Sequence, residues 1–180
     1  MTTAEEKFDR FAHDYFIFLA LRYGLDTNCR IKVVPCNDKD WETIVPSKLL
    51  EPTKNNTQFQ HISLAFWLSK GRLCAGDKRL ALKAAGFTPE QAETFSNYDA
   101  LLFVNFDRPV RMKSGEPYIW NLLLSHQVLH LVEILTDQRI INEPADEHYY
   151  EAPEALQHFN RFVAWIGGLD EAIDRYVPCR

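Results

Sequence analysis

No block of basic residues occurs anywhere in the chain. Lys and Arg number 20 against 25 Asp and Glu, for a formal net charge of −5, and the basic residues are scattered. Nucleic acid is held chiefly by clustered positive charge, so it is not an expected partner. No window approaches the roughly eighteen uninterrupted apolar residues of a membrane-spanning helix. The opening stretch, MTTAEEKFDR, is charged where a secretory leader would be apolar. The expectation is a cytoplasmic protein without a membrane partner. Cysteine is sparse, and Cys29, Cys36, Cys74 and Cys179 form no CxxC pair. That spacing does not support a zinc knuckle, and a cytoplasmic setting argues against structural disulfides. The cysteines read as small buried hydrophobes. A GxSxG elbow is also missing, and Ser125 diverges by about 100° from its neighbour His126 on a helix, so a serine nucleophile is not favoured. Neither a repeat, a low-complexity tract nor a linker divides the chain. Its 180 residues, 46% hydrophobic, suit a single domain over 1–180.

What is present is a series of well-marked elements. Residues 3–23 read as a helix, with Phe8, Phe11, Ala12, Tyr15, Phe18, Leu19 and Arg22 at three- and four-residue intervals and Gly24 closing it. His13 lies off that stripe and reads as a surface residue. Residues 29–36 alternate Ile31 and Val33 against Arg30 and Lys32, as a strand does. Residues 37–57, polar and carrying Pro46 and Pro52, read as a long irregular connection. Residues 58–68 begin as an alternating strand that includes His61, and Ser69 to Arg72 form a turn. A short helix over 77–85 ends at Gly86. Thr88, Pro89 and Gln91 spell the start of a second, with Thr88 as N-cap and Gln91 closing a capping box. Residues 99–110 contain ALLFVNF, a strand buried on both faces. Lys113 to Pro117 turn the chain into a long helix over 120–137. A crowded acidic loop follows, with Glu143, Asp146, Glu147, His148 and Glu151. A last helix over 153–176 has Leu156, Phe159, Phe162, Val163, Ile166, Leu169 and Ile173 as its buried face, and Gly167-Gly168 should bend or break it. This order predicts an α+β fold, with helices packed on a small mixed sheet.

The sequence centres on the helix over 120–137. At about 100° per residue, Glu133, His126, Asp137 and His130 fall within an arc of roughly 60°. Leucine, valine and isoleucine fill the rest of the circumference. A helix apolar nearly all round is normally buried, so this reads as a central helix with a narrow polar stripe. His126 and His130, four residues apart, put two imidazoles on one face, close enough to share a metal ion.

The string His126-Gln127-Val128-Leu129-His130 resembles the HExxH helix of the zincin metallopeptidases, in which two histidines bind zinc and the glutamate activates water. The element order is similar to the minimal zincin architecture. The resemblance implies a zinc-binding, metallopeptidase-like hydrolase with a peptide or protein substrate and one divalent ion. Gln127 departs from the pattern, because an amide cannot accept the proton that a general base must take, which implies weakened or lost activity. For the third ligand, Glu133 lies about 7.5 Å along the axis from the midpoint of the histidines, better placed to accept a hydrogen bond from His130. His148, in the polar loop after the helix, is the preferred third ligand, with Glu143 and Glu147 as alternatives. Iron or manganese would suit the same face. The competing reading is a non-enzymatic α+β interaction or structural protein whose His/Glu stripe is only a polar face.

Overall fold

A computed structural model describes residues 3–50, 63–68, 74–105, 119–141 and 153–177. In chain order the elements are α1 (Ala4–Tyr23), β1 (Ile31–Cys36), α2 (Trp41–Ile44), α3 (Ser47–Leu50), β2 (Ser63–Trp67), α4 (Ala75–Ala84), α5 (Pro89–Phe95), β3 (Ala100–Asn105), α6 (Ile119–Thr136), α7 (Pro153–Trp165) and α8 (Leu169–Tyr176). They gather into two compact units, one comprising Met1–Asn28 with Val110–Arg180 and the other Cys29–Pro109.

The second unit is an α+β assembly on a three-stranded mixed sheet of order β1-β3-β2. β1 runs parallel to β3 from Ile31 opposite Ala100 to Cys36 opposite Asn105, and β2 runs antiparallel on the other side. β3 is the middle strand, and all six of its residues are buried. That is why its sequence reads as a continuous apolar run with no alternation. Leu101 and Phe103 pack with Leu82 of α4 and with Phe87, Ala92 and Phe95 in and before α5. Helix α5 begins as its sequence predicts: Thr88 Oγ1 accepts from Gln91 N, Gln91 Oε1 accepts from Thr88 N, and Pro89 stands at the start. At the entry of β3, Lys78 of α4 is 3% exposed and pairs with Asp99. The second carboxylate oxygen of Asp99 accepts from Arg30 N at 2.8 Å, and Asp99 N donates to Arg30 O, tying the starts of the two parallel strands together.

The connection after β1 is less irregular than its composition suggests. The mutual hydrogen bonds of Asn37 and Asp40 close a tight turn, and α2 and α3 follow, anchored by Trp41 at 1% exposure. Trp41 and Val45 belong to one buried cluster with Ile44 and Leu49 packed against it, and one-turn helices carry too few residues to show a period. Cys29 and Cys36 are buried as expected, whereas Cys74 is exposed at the N-cap of α4 with its thiol directed at Asp77. Burial, then the Asp40 carboxylate, push the Cys36 thiol up to about 12, so it stays protonated and inert.

The first unit holds α1, α6, α7 and α8. Helix α1 opens on a capping box between Thr3 and Glu6 and closes on Gly24 at φ 67°, the left-handed conformation that glycine adopts without strain. Its inward face is Phe8, Phe11, Ala12, Tyr15, Phe16, Leu19 and Ala20. Phe18, expected on that face, is only half-buried and lies against Phe162 and Trp165 of α7. His13 is exposed as expected. The last helix breaks at Gly167 and Gly168, with φ 110° and 115°. That break re-phases the chain, so α8 buries Ala172 and Tyr176 while Leu169, expected in the core, is exposed. Phe11, Phe162 and Tyr176 meet ring to ring, and the Tyr176 hydroxyl donates to Asp14 at 2.9 Å.

Candidate metal centre on helix α6

Residues 121–129 of α6 are buried all the way round, including the polar side chains of Asn121, Ser125, His126 and Gln127. Burial then declines toward the helix end. His126 is fully buried, the side chains of His130 and Glu133 are 24% and 17% exposed, and Asp137 is exposed. The polar stripe therefore runs from the interior outward, along the one face where each successive turn stacks over the last.

The two imidazoles meet end to end. Nε2 of His126 and Nε2 of His130 are 2.9 Å apart, with ring centroids at 4.6 Å and planes at 80°. On the far side of the His130 ring, Nδ1 is 2.8 Å from Oε2 of Glu133. The other oxygen of Glu133, Oε1, accepts from the backbone N–H groups of Ile140 and Ile141 at 2.6 and 2.7 Å. Burial alone would raise the Glu133 pKa. The hydrogen bonds from His130, Ile141 and Ile140, with the nearby His130 ring, outweigh it and hold the carboxyl below its ordinary value.

A carboxylate on Nδ1 that leaves Nε2 facing inward is the support found behind metal-bound histidine, because it sets the tautomer and raises ligand basicity. The fit to a metal ion rests on this donor set. Two imidazole nitrogens stand within hydrogen-bond distance of each other, and the neighbouring carboxylate is engaged elsewhere. Two nitrogens on a tetrahedral zinc at the usual bond length stand about 3.3 Å apart, a small opening of the observed pair. Among the described residues no group of three or more His, Cys, Asp or Glu side chains is placed to hold an ion. His148, Glu143 and Glu147, the third-ligand candidates, lie outside the described residues, as does His61.

Gln127 is 3% exposed, so the residue at the position of the zincin glutamate is enclosed. The clamp of Glu133 on Ile140 and Ile141 was not expected, and no sequence signal could have shown it, since backbone amides are common to almost every residue. His158 of α7 also went unremarked. It is 6% exposed, with Nε2 3.3 Å from the Tyr23 hydroxyl. Its spacing, three residues after Ala155 and four before Phe162, is the signal that could have found it.

No protein-family model matches the chain, and no curated protein or solved structure matches it.

Proposed function

We propose that His126 and His130 are two ligands of a divalent metal site, zinc by preference, on a zincin-like helix. The observation that carries this reading is the pair of Nε2 atoms 2.9 Å apart, with the opposite nitrogen of His130 engaged by Glu133. An ion would take the place of the hydrogen bond between the rings. His148 supplies the third ligand, with Glu143 or Glu147 as alternatives. When bound, zinc polarises a carbonyl and lowers the pKa of its water toward neutrality. The chain's own residues do the rest. His126 and His130 present nitrogen lone pairs, Glu133 orients His130, and Gln127 can hydrogen-bond but takes up no proton. The reading is therefore a zincin-like metal-binding protein whose peptide-hydrolase activity is weakened or lost.

A second reading has one observation in its favour. The imidazoles already satisfy each other with a hydrogen bond, and that needs no ion. The pair would then be an internal polar contact of a non-enzymatic α+β protein.

Metal content and zinc titration of the wild type and of His130→Ala separate the two readings. Metal binding predicts one equivalent of zinc in the wild type and its loss in the variant. Negligible metal in both would remove the proposal. His130 is the better position to change because it is partly exposed, and its truncation opens a smaller void than that of the enclosed His126.

A further inference from the structure

The geometry points to Glu133 as a positioning residue: it fixes which ring nitrogen of His130 carries the proton, and it ties that choice to the chain at Ile140 and Ile141. The bearing of this on zinc rests on the reading above, but the assignment itself does not require a metal.

Backbone N–H groups only donate, so the oxygen that meets Ile140 N and Ile141 N must accept from both. The remaining oxygen, Oε2, faces Nδ1 of His130 at 2.8 Å. An ionised carboxylate has nothing to donate, so Nδ1 is the donor and holds the ring proton. In the neutral ring that leaves the lone pair on Nε2, directed at His126. His126 is then the donor between the rings. For both Nε2 atoms to accept a common cation, the His126 proton must move to its own Nδ1, whereas His130 needs no change. Glu133 has already set it.

The same carboxylate fixes the chain beyond the helix. α6 ends at Thr136, and Asp137 takes φ 50°, reversing the backbone so that the amides seven and eight residues beyond Glu133 return to its side chain. One residue thus holds the imidazole and the outgoing chain in a single arrangement. A glutamine there would keep the size and the acceptor oxygen for the backbone. Its NH2 group would turn to His130 Nδ1, force that nitrogen to accept, and put the ring proton on Nε2, where a cation would bind.

The test uses full-length metal-free protein with 15N-labelled histidine, at mildly alkaline pH where a free imidazole is neutral. Long-range 1H–15N correlations report the tautomer, and amide hydrogen exchange reports the clamp. The expected result is a proton on Nδ1 of His130 in the wild type and on Nε2 in Glu133→Gln. Exchange at Ile140 and Ile141 should stay slow in Glu133→Gln and become fast in Glu133→Ala. Zinc affinity should fall about 10–100-fold in Glu133→Gln, the usual effect of losing such a supporting group. A wild-type proton on Nε2 would overturn the assignment without recourse to any variant. So would an unchanged tautomer in Glu133→Gln, or equal exchange at Ile140 and Ile141 in wild type and Glu133→Ala. If the wild type takes no zinc while the tautomer switches as described, the role of Glu133 stands and the metal reading falls. Zinc binding with no switch gives the reverse.

Discussion

Lys78 with Asp99 and His126 with His130 are both polar pairs held largely out of water, but their chemistry differs. In the first, opposite charges meet, and the spare carboxylate oxygen of Asp99 accepts Arg30 N at the start of β1. Each contact there serves the sheet. In the second, two basic rings face each other and the nearest carboxylate lies behind one of them. One hydrogen bond between two rings is worth about 1 kcal/mol net, and taking the ring nitrogens out of water offsets much of that. Two leucines on the same helix face would pack without that cost. Stability accounts for the first pair and leaves the second unexplained, which is why the histidines and not the ion pair are read as a ligand site.

The largest expected effect tests the first half of that contrast. Asp99→Ala strands the buried Lys78 charge and removes the acceptor for Arg30 N, and should cost about 3–5 kcal/mol in urea unfolding. Lys78→Met, which removes the buried charge and refills its volume, should cost far less, and in the Asp99→Ala background it should restore part of the loss. A loss below about 1 kcal/mol in Asp99→Ala would mean that the pair is solvated in practice and that the contrast is false.

A smaller effect probes the second half by adding a charge to the enclosed part of the histidine helix. Gln127→Glu places a carboxylate at a position 3% exposed. Burying that charge should destabilise the metal-free protein by roughly 1–3 kcal/mol. If position 127 lies beside the ion, zinc supplies a counter-charge. The variant should then regain stability on zinc addition by more than the wild type does, and should gain chelator-sensitive cleavage of an unstructured protein substrate. Equal zinc effects on the two melting temperatures would place Gln127 away from the ion and take the zincin-like register with it.

How much of this could be read beforehand follows the range of the interactions. The capping boxes at Thr3 and Thr88, the glycine ends at Gly24 and Gly86, and the break at Gly167-Gly168 are local and appear in the sequence where the structure has them. The continuous burial of β3 was legible because a middle strand has no polar face. The i, i+4 geometry of His126 and His130 was equally legible, since helix period alone sets it. What was missed depends on distant partners or on backbone. Nothing in the short helix over 77–85 marked Lys78 as buried, because the carboxylate it pairs with lies 21 residues on. Leu169 looked like core, because the period was carried across a break that resets it. The enclosure of Gln127 depends on packing that a helical wheel does not contain.

The smallest expected effect concerns His158, a buried imidazole that lies against the Tyr23 ring and, among the described residues, has no ion-pair partner. Its Nε2 meets the Tyr23 hydroxyl at 3.3 Å, and among the described residues its buried Nδ1 has no hydrogen-bond partner. The cheaper neutral form places the proton on Nε2, donating to Tyr23, because an unsatisfied lone pair costs less than an unsatisfied N–H. Burial first, then the positive charges of Arg22 and Arg161, hold its pKa below the ordinary histidine value of 6.5. The sign follows from proton binding. Between 6.5 and the lower folded-state value the unfolded chain takes up a proton that the folded chain refuses, so stability falls as pH falls through that window. Above 6.5 the contribution is complete, and below the folded value it is gone. His158→Phe keeps an aromatic ring and cannot titrate. The stability difference between wild type and His158→Phe, measured by urea unfolding from about pH 7.5 down to about pH 5, should shift in favour of the variant as the pH drops. A difference that stays flat across that range would mean that His158 protonates as freely folded as unfolded. It would then be a solvated residue, not a third way of burying a polar group.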